Sequence, residues 1–228
     1  MRQSPISYFA YALLLSSVLL FMPATAQAQR KNIVEQPKDS IRLFQGVQVS
    51  YDLVGTIMRM ASDYGQYEGA VKFNLKNKFF PTFEMGYGTG EHDTDELSTI
   101  HAKTKAPYFK VGMDYNIAKN KNAGYRILAG FRYAFTKFDF EWDANPKDPA
   151  WGGTQGITIK EEGCNCHWAE FLVGVDAKIW GPLHLGWSVR YHLKLSTKEG
   201  EHGDVWYIPG YGKRGNTMGG TFNVGFEF

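Results

Sequence analysis

Long apolar runs are scarce in this sequence. Only Ala10 to Met22 is continuous, apart from Ser16 and Ser17, and it falls short of the ~20 apolar residues that a helical membrane span needs. No later stretch qualifies, so a helical membrane protein is excluded. Cysteine is equally sparse, and both copies lie in one cluster, Cys164-Asn165-Cys166-His167. Because none follows the N-terminal apolar run, a lipoprotein start does not fit. A closed zinc site does not fit either, since it wants four ligands and wider cysteine spacing. Charge of one sign is also missing. The chain has 25 Lys and Arg against 23 Asp and Glu with no basic stripe, so nucleic acid is not an expected partner.

The start of the chain reads as an export signal. Arg2 precedes the apolar run, and Ala24-Thr25-Ala26 and Ala26-Gln27-Ala28 both have the small-x-small pattern of a cleavage site. Residues 1–28 are read as a signal peptide, 29–40 as a polar periplasmic lead-in, and 41–228 as one domain. An exported membrane protein without helical spans has one architecture left, a closed barrel whose strands satisfy each other's backbone groups.

Aromatic residues and period-two alternation are abundant. Leu183, Leu185, Trp187, Val189, Tyr191, Leu193 and Leu195 fall on one face, while His184, Gly186, Ser188, Arg190, His192, Lys194 and Ser196 fall on the other. Strands of soluble proteins usually run only about 5–6 residues. Lipid outside and a polar interior would explain both the length and the unbroken apolar face. Seven more segments alternate in this way, starting near Leu43, Tyr67, Phe79, Phe109, Tyr125, Phe171 and Met218. The expected fold is all-β, a transmembrane antiparallel up-and-down β-barrel of eight strands. Short turns at Lys76-Asn77-Lys78, Lys119 to Ala123 and Gly181-Pro182 alternate with longer polar stretches, about Gly55 to Gly65, Gly90 to Lys105, Glu141 to Cys166 and Thr197 to Asn216. That asymmetry puts the long loops outside an outer membrane and both termini in the periplasm.

The inward set carries charge of both signs. Its basic members are Arg42, Lys72, Lys110, Arg126, Arg132, Lys178, Arg190 and Lys194, and its acidic members are Asp52, Glu68, Glu84, Asp114, Glu170, Asp176 and Glu227. An eight-stranded barrel is only wide enough inside for side chains, so near-cancelling charges imply a lumen filled by an ion-paired network. A narrow channel lined by Asp114, Glu170 and Arg190 is one alternative. A lipid-modifying or proteolytic barrel enzyme is another, since Ser188, His184 and His192 share one inward face and such chemistry needs a nucleophile beside a base. No motif has catalytic spacing, so no catalytic, cofactor-binding or metal residue is assigned and no cofactor is expected.

Cys164 and Cys166 are expected to form a loop disulfide in the oxidising envelope, with reduced thiols as the other reading because i, i+2 spacing is strained. Phe222, Val224, Phe226 and Phe228 form an apolar-faced last strand ending on an aromatic, which resembles the signal read by outer-membrane assembly machinery. Tyr51, Tyr87, Phe109, Tyr115, Tyr125, Trp180, Trp187 and Tyr191 are outward candidates for interfacial girdles.

Five blocks carry a resemblance. They are Ser62-Asp63-Tyr64-Gly65-Gln66-Tyr67-Glu68, Asn77-Lys78-Phe79-Phe80-Pro81, Tyr108-Phe109-Lys110-Val111-Gly112-Met113-Asp114-Tyr115-Asn116, Gly186-Trp187-Ser188-Val189-Arg190-Tyr191 and Trp206-Tyr207-Ile208-Pro209-Gly210-Tyr211-Gly212-Lys213. With them the chain resembles an uncharacterised family of Bacteroidota outer-membrane β-barrels, from about Leu43 to Phe228. The resemblance implies export and a small barrel, and no particular activity. In the last block, Trp206, Tyr207, Pro209, Tyr211 and Lys213 form either an external docking surface for a protein or a lipopolysaccharide phosphate, or a cap folded back on the barrel. The expected function is that of a non-enzymatic barrel with a structural, accessory or docking role in the envelope. Its expected partners are outer-membrane lipid and lipopolysaccharide, the assembly machinery during insertion, and a membrane protein complex.

Overall fold

A computed structural model describes residues 42–93, 98–121, 123–146, 157–198, 205–213, 215 and 217–228. The signal peptide and lead-in read at 1–40 lie outside these residues.

The reversals at one end follow from local chemistry. Lys76 and Asn77 have φ of 55° and 54°, the paired left-handed residues of a type I′ turn, whose twist matches that of the strands it joins. The Lys78 amide closes it on the Leu75 carbonyl at 3.0 Å, and the Asn77 amide donates to Asn74 Oδ1 at 2.9 Å. Gly181, at φ 53°, supplies the left-handed residue before Pro182.

The wall consists of β1 (Phe44–Asp52), β2 (Tyr64–Leu75), β3 (Phe79–Asp93), β4 (Ser98–Asn116), β5 (Tyr125–Pro146), β6 (Ile157–Trp180), β7 (Leu183–Lys198) and β10 (Met218–Glu227). Each pairs antiparallel with its sequence neighbour in the wall, and β1 pairs with β10, so the sheet closes as an eight-stranded up-and-down barrel. At the seam the Val47 amide donates to the Phe228 carbonyl at 3.0 Å, and the Phe228 amide returns a bond to Val47 at 2.9 Å. Two further strands, β8 (Tyr207–Ile208) and β9 (Gly212–Lys213), form a small hairpin separate from the wall. Pro81 sits in β3 close to the turn, where one missing ladder bond is tolerated.

The wall is uneven in height. β1 and β10 have 9 and 10 residues, whereas β5 and β6 have 22 and 24. The opening opposite the turns is therefore slanted, and we call it the tall end. Strand runs replace much of the loops expected over Gly90 to Lys105 and Glu141 to Cys166. A helix, α1 (Leu53–Ala61), replaces the loop expected after β1. It starts where it does because Asp52 caps it, accepting from the Val54 and Gly55 amides at 3.2 and 3.0 Å.

Side-chain polarity inverts along the long strands. In the lower part of β5, Phe131, Tyr133 and Phe135 are exposed on the outside while Arg126 and Arg132 are buried inside. From Tyr125 to Phe135 the apolar band covers ten residue steps, about 33 Å of strand, or ~25 Å of height at a 35–45° tilt. Above Phe135 the pattern reverses: Phe138 and Phe140 are buried inside while Lys137 and Asp139 face out. β4 and β6 do the same, burying Tyr108, Cys164, Cys166 and Trp168 inside the tall end.

Candidate functional site

The lumen is filled in three layers, and the lowest faces the turns. There Arg126 reaches Glu227 at 2.7 Å and Asp176 at 3.3 Å, with its guanidinium 4.9 Å above the Phe80 ring. The His184 ring lies between the same two acids, 2.9 Å from Asp176 and 3.0 Å from Glu227. Gln48 donates to Asp176 at 3.0 Å and Asn74 to Glu227 at 2.7 Å. This layer floors an open vestibule of about 430 Å³, with Lys121 and Lys178 among its walls.

The middle layer is ionic and almost fully buried. Arg190 Nη1 alone touches three carboxylates, Glu84 at 2.8 Å and Glu68 and Glu170 at 3.2 Å each. Lys110 joins Glu68 at 2.8 Å and Glu170 at 3.0 Å. Arg132 joins Glu84 at 3.0 Å and Asp114 at 2.7 Å, and Lys72 closes on Asp114 at 3.0 Å. Four cations thus meet four carboxylates across six strands, which is how charge survives in a lumen with almost no water access. Between the two lower layers a cavity of about 30 Å³, lined in part by Gln48, Ser50 and Ser188, has room for one or two waters.

Amphipathic rings join the ionic layer to an apolar one above it. The Tyr108 hydroxyl donates down to Glu68 at 2.8 Å and the Trp168 indole N–H to Glu170 at 2.7 Å. The rings themselves point up among Ala106, Ala134, Phe138, Phe140, Cys164 and Cys166. Into this cup folds the segment between β7 and β10, burying Val205, Tyr207, Ile208 and Tyr211. Tyr211 meets Trp168 edge-on at 5.9 Å, and its carbonyl lies 3.1 Å from His192 Nδ1. Each such side chain withdrawn from water contributes about 1.5–3 kcal/mol. Burial pushes the Tyr207 phenol above its ordinary range, so it stays a neutral donor, reaching the Gly65 carbonyl at 3.3 Å.

The plug needs a wall without side chains. β3 supplies it with inward glycines. A Cβ on Gly88 would stand 2.8 Å from Pro209 Cα, and one on Gly90 would stand 2.7 Å from the Tyr207 ring. Gly210, at φ +81°, turns the plug where it presses on Tyr108. At its edge Lys213 Nζ lies 4.7 Å from the Tyr64 ring centre and 4.9 Å from that of Trp206, and His92 stacks on Trp206 at 4.5 Å.

A family model described as a domain of unknown function (DUF6048) matches residues 8–228. The chain belongs to that family. No match was found among curated proteins. Among solved structures the chain is similar to the N-terminal β-barrel domain of Pseudomonas aeruginosa OprF, at 14% identity and a TM-score of 0.35, covering 81% of this chain and 100% of that one. It is also similar to Acinetobacter baumannii CarO, at 12% identity and a TM-score of 0.36, covering 80% of this chain and 96% of that one. The barrel assignment stands on its own strand order and register.

Within this family member, Lys72, Glu84, Lys110, Asp114, Arg126, Arg132, Glu170, Asp176 and Arg190 come together in the lumen as described. Two residues assigned to the same network do not. Lys178 is exposed at the vestibule rim, where β6 slips register against β7. Lys194 lies higher, its ammonium 5.4 Å from the Tyr211 ring centre. Arg42, also read as inward, is exposed just ahead of β1. Of the two readings of the Trp206, Tyr207, Pro209, Tyr211 and Lys213 block, an external docking surface and a folded-back cap, the fold is that of the cap. Tyr207, Pro209 and Tyr211 are buried and Trp206 and Lys213 stand half-buried at its edge, because the aromatic side chains gain more from the apolar cup than from water. Cys164 and Cys166 lie in β6 rather than a loop and are not joined by a disulfide. Both are buried on the same face of an extended strand, where i and i+2 side chains run parallel about 6.6 Å apart, at the limit of what a disulfide spans. Ser188 is held by Thr221 at 2.8 Å, while His184 faces Asp176 and Glu227, and His192 faces Glu170 at 3.6 Å. The three inward residues considered for catalysis therefore have partners other than one another. Of the girdle candidates, Tyr115 and Tyr125 sit near the turns, with Lys121 Nζ 5.2 Å from the Tyr115 ring centre, and Tyr51, Tyr87 and Tyr191 sit towards the tall end. Phe222 and Phe226 face outward on β10, and Phe228 pairs with Val47 at the seam.

Proposed function

We propose that this protein is an integral outer-membrane barrel with its turns and termini on the periplasmic side, its tall end outside, and a structural or accessory role that involves neither conduction nor catalysis. One observation carries the reading: the lumen is blocked twice, by a charge-balanced layer and by a plug made from the chain's own β7–β10 segment. The outward apolar band of ~25 Å supports membrane residence, because it matches the hydrocarbon-facing zone of such barrels. A water-filled pathway would need the Arg190 cluster to part and Tyr108, Trp168 and Tyr211 to leave the mouth. Such a barrel can still brace the envelope, or stand beside a larger complex through its tall outer wall.

Conductance tests this directly. Purified protein inserted in planar bilayers should give no steady openings of porin size. Sustained openings from the intact chain would overturn the plugged reading.

A further inference from the structure

The outer face of the tall end is charged, but its charges are not all used alike. Three outward positions above the last band aromatics, Phe109 and Phe135, charges pair across strands in register, Glu91 with Lys103 at 3.7 Å and Glu141 with Lys160 at 2.7 Å. The Glu141 bond holds the Lys160 ammonium above its ordinary pKa range. Directly at the band's upper margin the pattern differs. Lys137 stands opposite Asn165, which stands opposite Lys198, on three adjacent strands. Lys105 lies opposite Asp139 and is therefore the diagonal neighbour of Lys137. All three lysines are exposed and face outward, and none has an ion-pair partner among the described residues. The Asp139 carboxylate accepts the Gly163 amide at 2.8 Å in the bulge of β6. By strand geometry Lys105 and Lys137 are about 7–8 Å apart, and Lys137 and Lys198 about 10 Å.

Immediately below lies an aromatic shelf. Phe109 stacks on Phe135 at 5.6 Å, Phe135 on His167 at 6.2 Å, and the Tyr133 hydroxyl lies 2.8 Å from His167 Nδ1. Asp139, opposite Lys105, and Glu161 and Glu162, which share a surface recess with Lys105, offset part of its charge, whereas Lys137 and Lys198 face each other across the neutral Asn165. Set on the edge of a lipid-facing belt, the three lysines run their stems along the apolar wall and hold their heads in the headgroup layer. Phosphates there would bridge ammonium groups at this spacing through charge-assisted hydrogen bonds.

We propose that Lys105, Lys137 and Lys198 form a binding site for the phosphates of a phosphorylated glycolipid of the outer leaflet, with its acyl chains lying against Phe109 and Phe135. The site rests on the reading that the tall end faces outward in a membrane.

The test uses the full mature chain in phosphatidylethanolamine nanodiscs doped with bisphosphorylated or dephosphorylated lipid A, with bound lipid counted by native mass spectrometry. The wild type should retain the phosphorylated form over the dephosphorylated one. Each lysine near an anionic surface is worth about a five-fold change in binding, so the triple variant Lys105→Gln, Lys137→Gln, Lys198→Gln should lose retention by well over ten-fold. A charge-matched control at the turn end, Lys76→Gln, Lys119→Gln, Lys178→Gln, should behave as wild type. Equal retention by the wild type and the first triple, or equal loss in both triples, would overturn the site. Heat-shifted gel migration in the same discs reports the barrel separately. If the barrel inserts but the lysines are indifferent, only the site falls, and if it never inserts, the membrane reading falls with it.

Discussion

Replacing Arg190 by methionine removes the one nitrogen that touches Glu68, Glu84 and Glu170 together, at 2.8 to 3.2 Å. Lys110 still holds two of these acids and Arg132 the third, but three cations then face four carboxylates in a layer almost closed to water. Breaking a buried pair from one side costs about 3–5 kcal/mol, most of it the penalty for the stranded charge. That is a large share of the ~5–15 kcal/mol that holds a domain together. With a urea slope of about 2 kcal/mol per molar, the unfolding midpoint should fall by roughly 2 M. Tryptophan fluorescence of the barrel refolded in detergent would measure it, with gel migration as an independent readout. Pairing Arg190→Met with Glu84→Gln restores the charge count, so the double variant should lose at least about 1 kcal/mol less than the sum of the singles. A single variant within about 0.5 kcal/mol of wild type, with additive doubles, would refute the idea that this layer is one coupled network.

Two other changes probe the tall end. Gly88→Val puts a side chain where Pro209 now rests, so overpacking of about 1–3 kcal/mol should unseat the plug; faster protease cleavage within 205–213 at unchanged barrel migration would show it. Cys164 and Cys166, both buried in the apolar cup, should resist alkylation in the folded barrel and yield two thiols on unfolding without reductant, whereas one disulfide's worth of oxidised sulfur would restore the loop-staple reading.

The wall of the outward apolar band was legible from residue order because alternation there has one cause: Phe131, Tyr133 and Phe135 face outward while Arg126 and Arg132 meet partners in the lumen. Above Phe135 the same strand buries Phe138 and Phe140, and the apolar phase shifts by one position. Read as a one-sided alternation, that shift looks like the end of a strand and the start of a loop, although the backbone ladder continues to Pro146. The helix α1 was missed for a related reason. Its signal was a single cap, Asp52, which already counted as an inward strand residue. Glu68, Tyr108 and Trp168 were visible as residues but not as a junction: the indole reaches Glu170 two residues along the same face of β6, but only closure of the barrel brings the β4 phenol across the lumen to Glu68 on β2.

Period-two patterning, the turn residues and the lack of helical spans were enough by themselves to determine a closed eight-stranded barrel with apolar outside and charge within, because side-chain direction in a strand depends only on position along the chain. Which charges pair, and where the Trp206 to Lys213 block goes, was decided by tertiary structure alone. Arg190 lies 106 residues from Glu84, and the plug is seated by glycines of β3 that precede it by more than a hundred positions. Such contacts depend on barrel radius, strand stagger and the space left when a side chain is missing, none of which is a property of the local sequence.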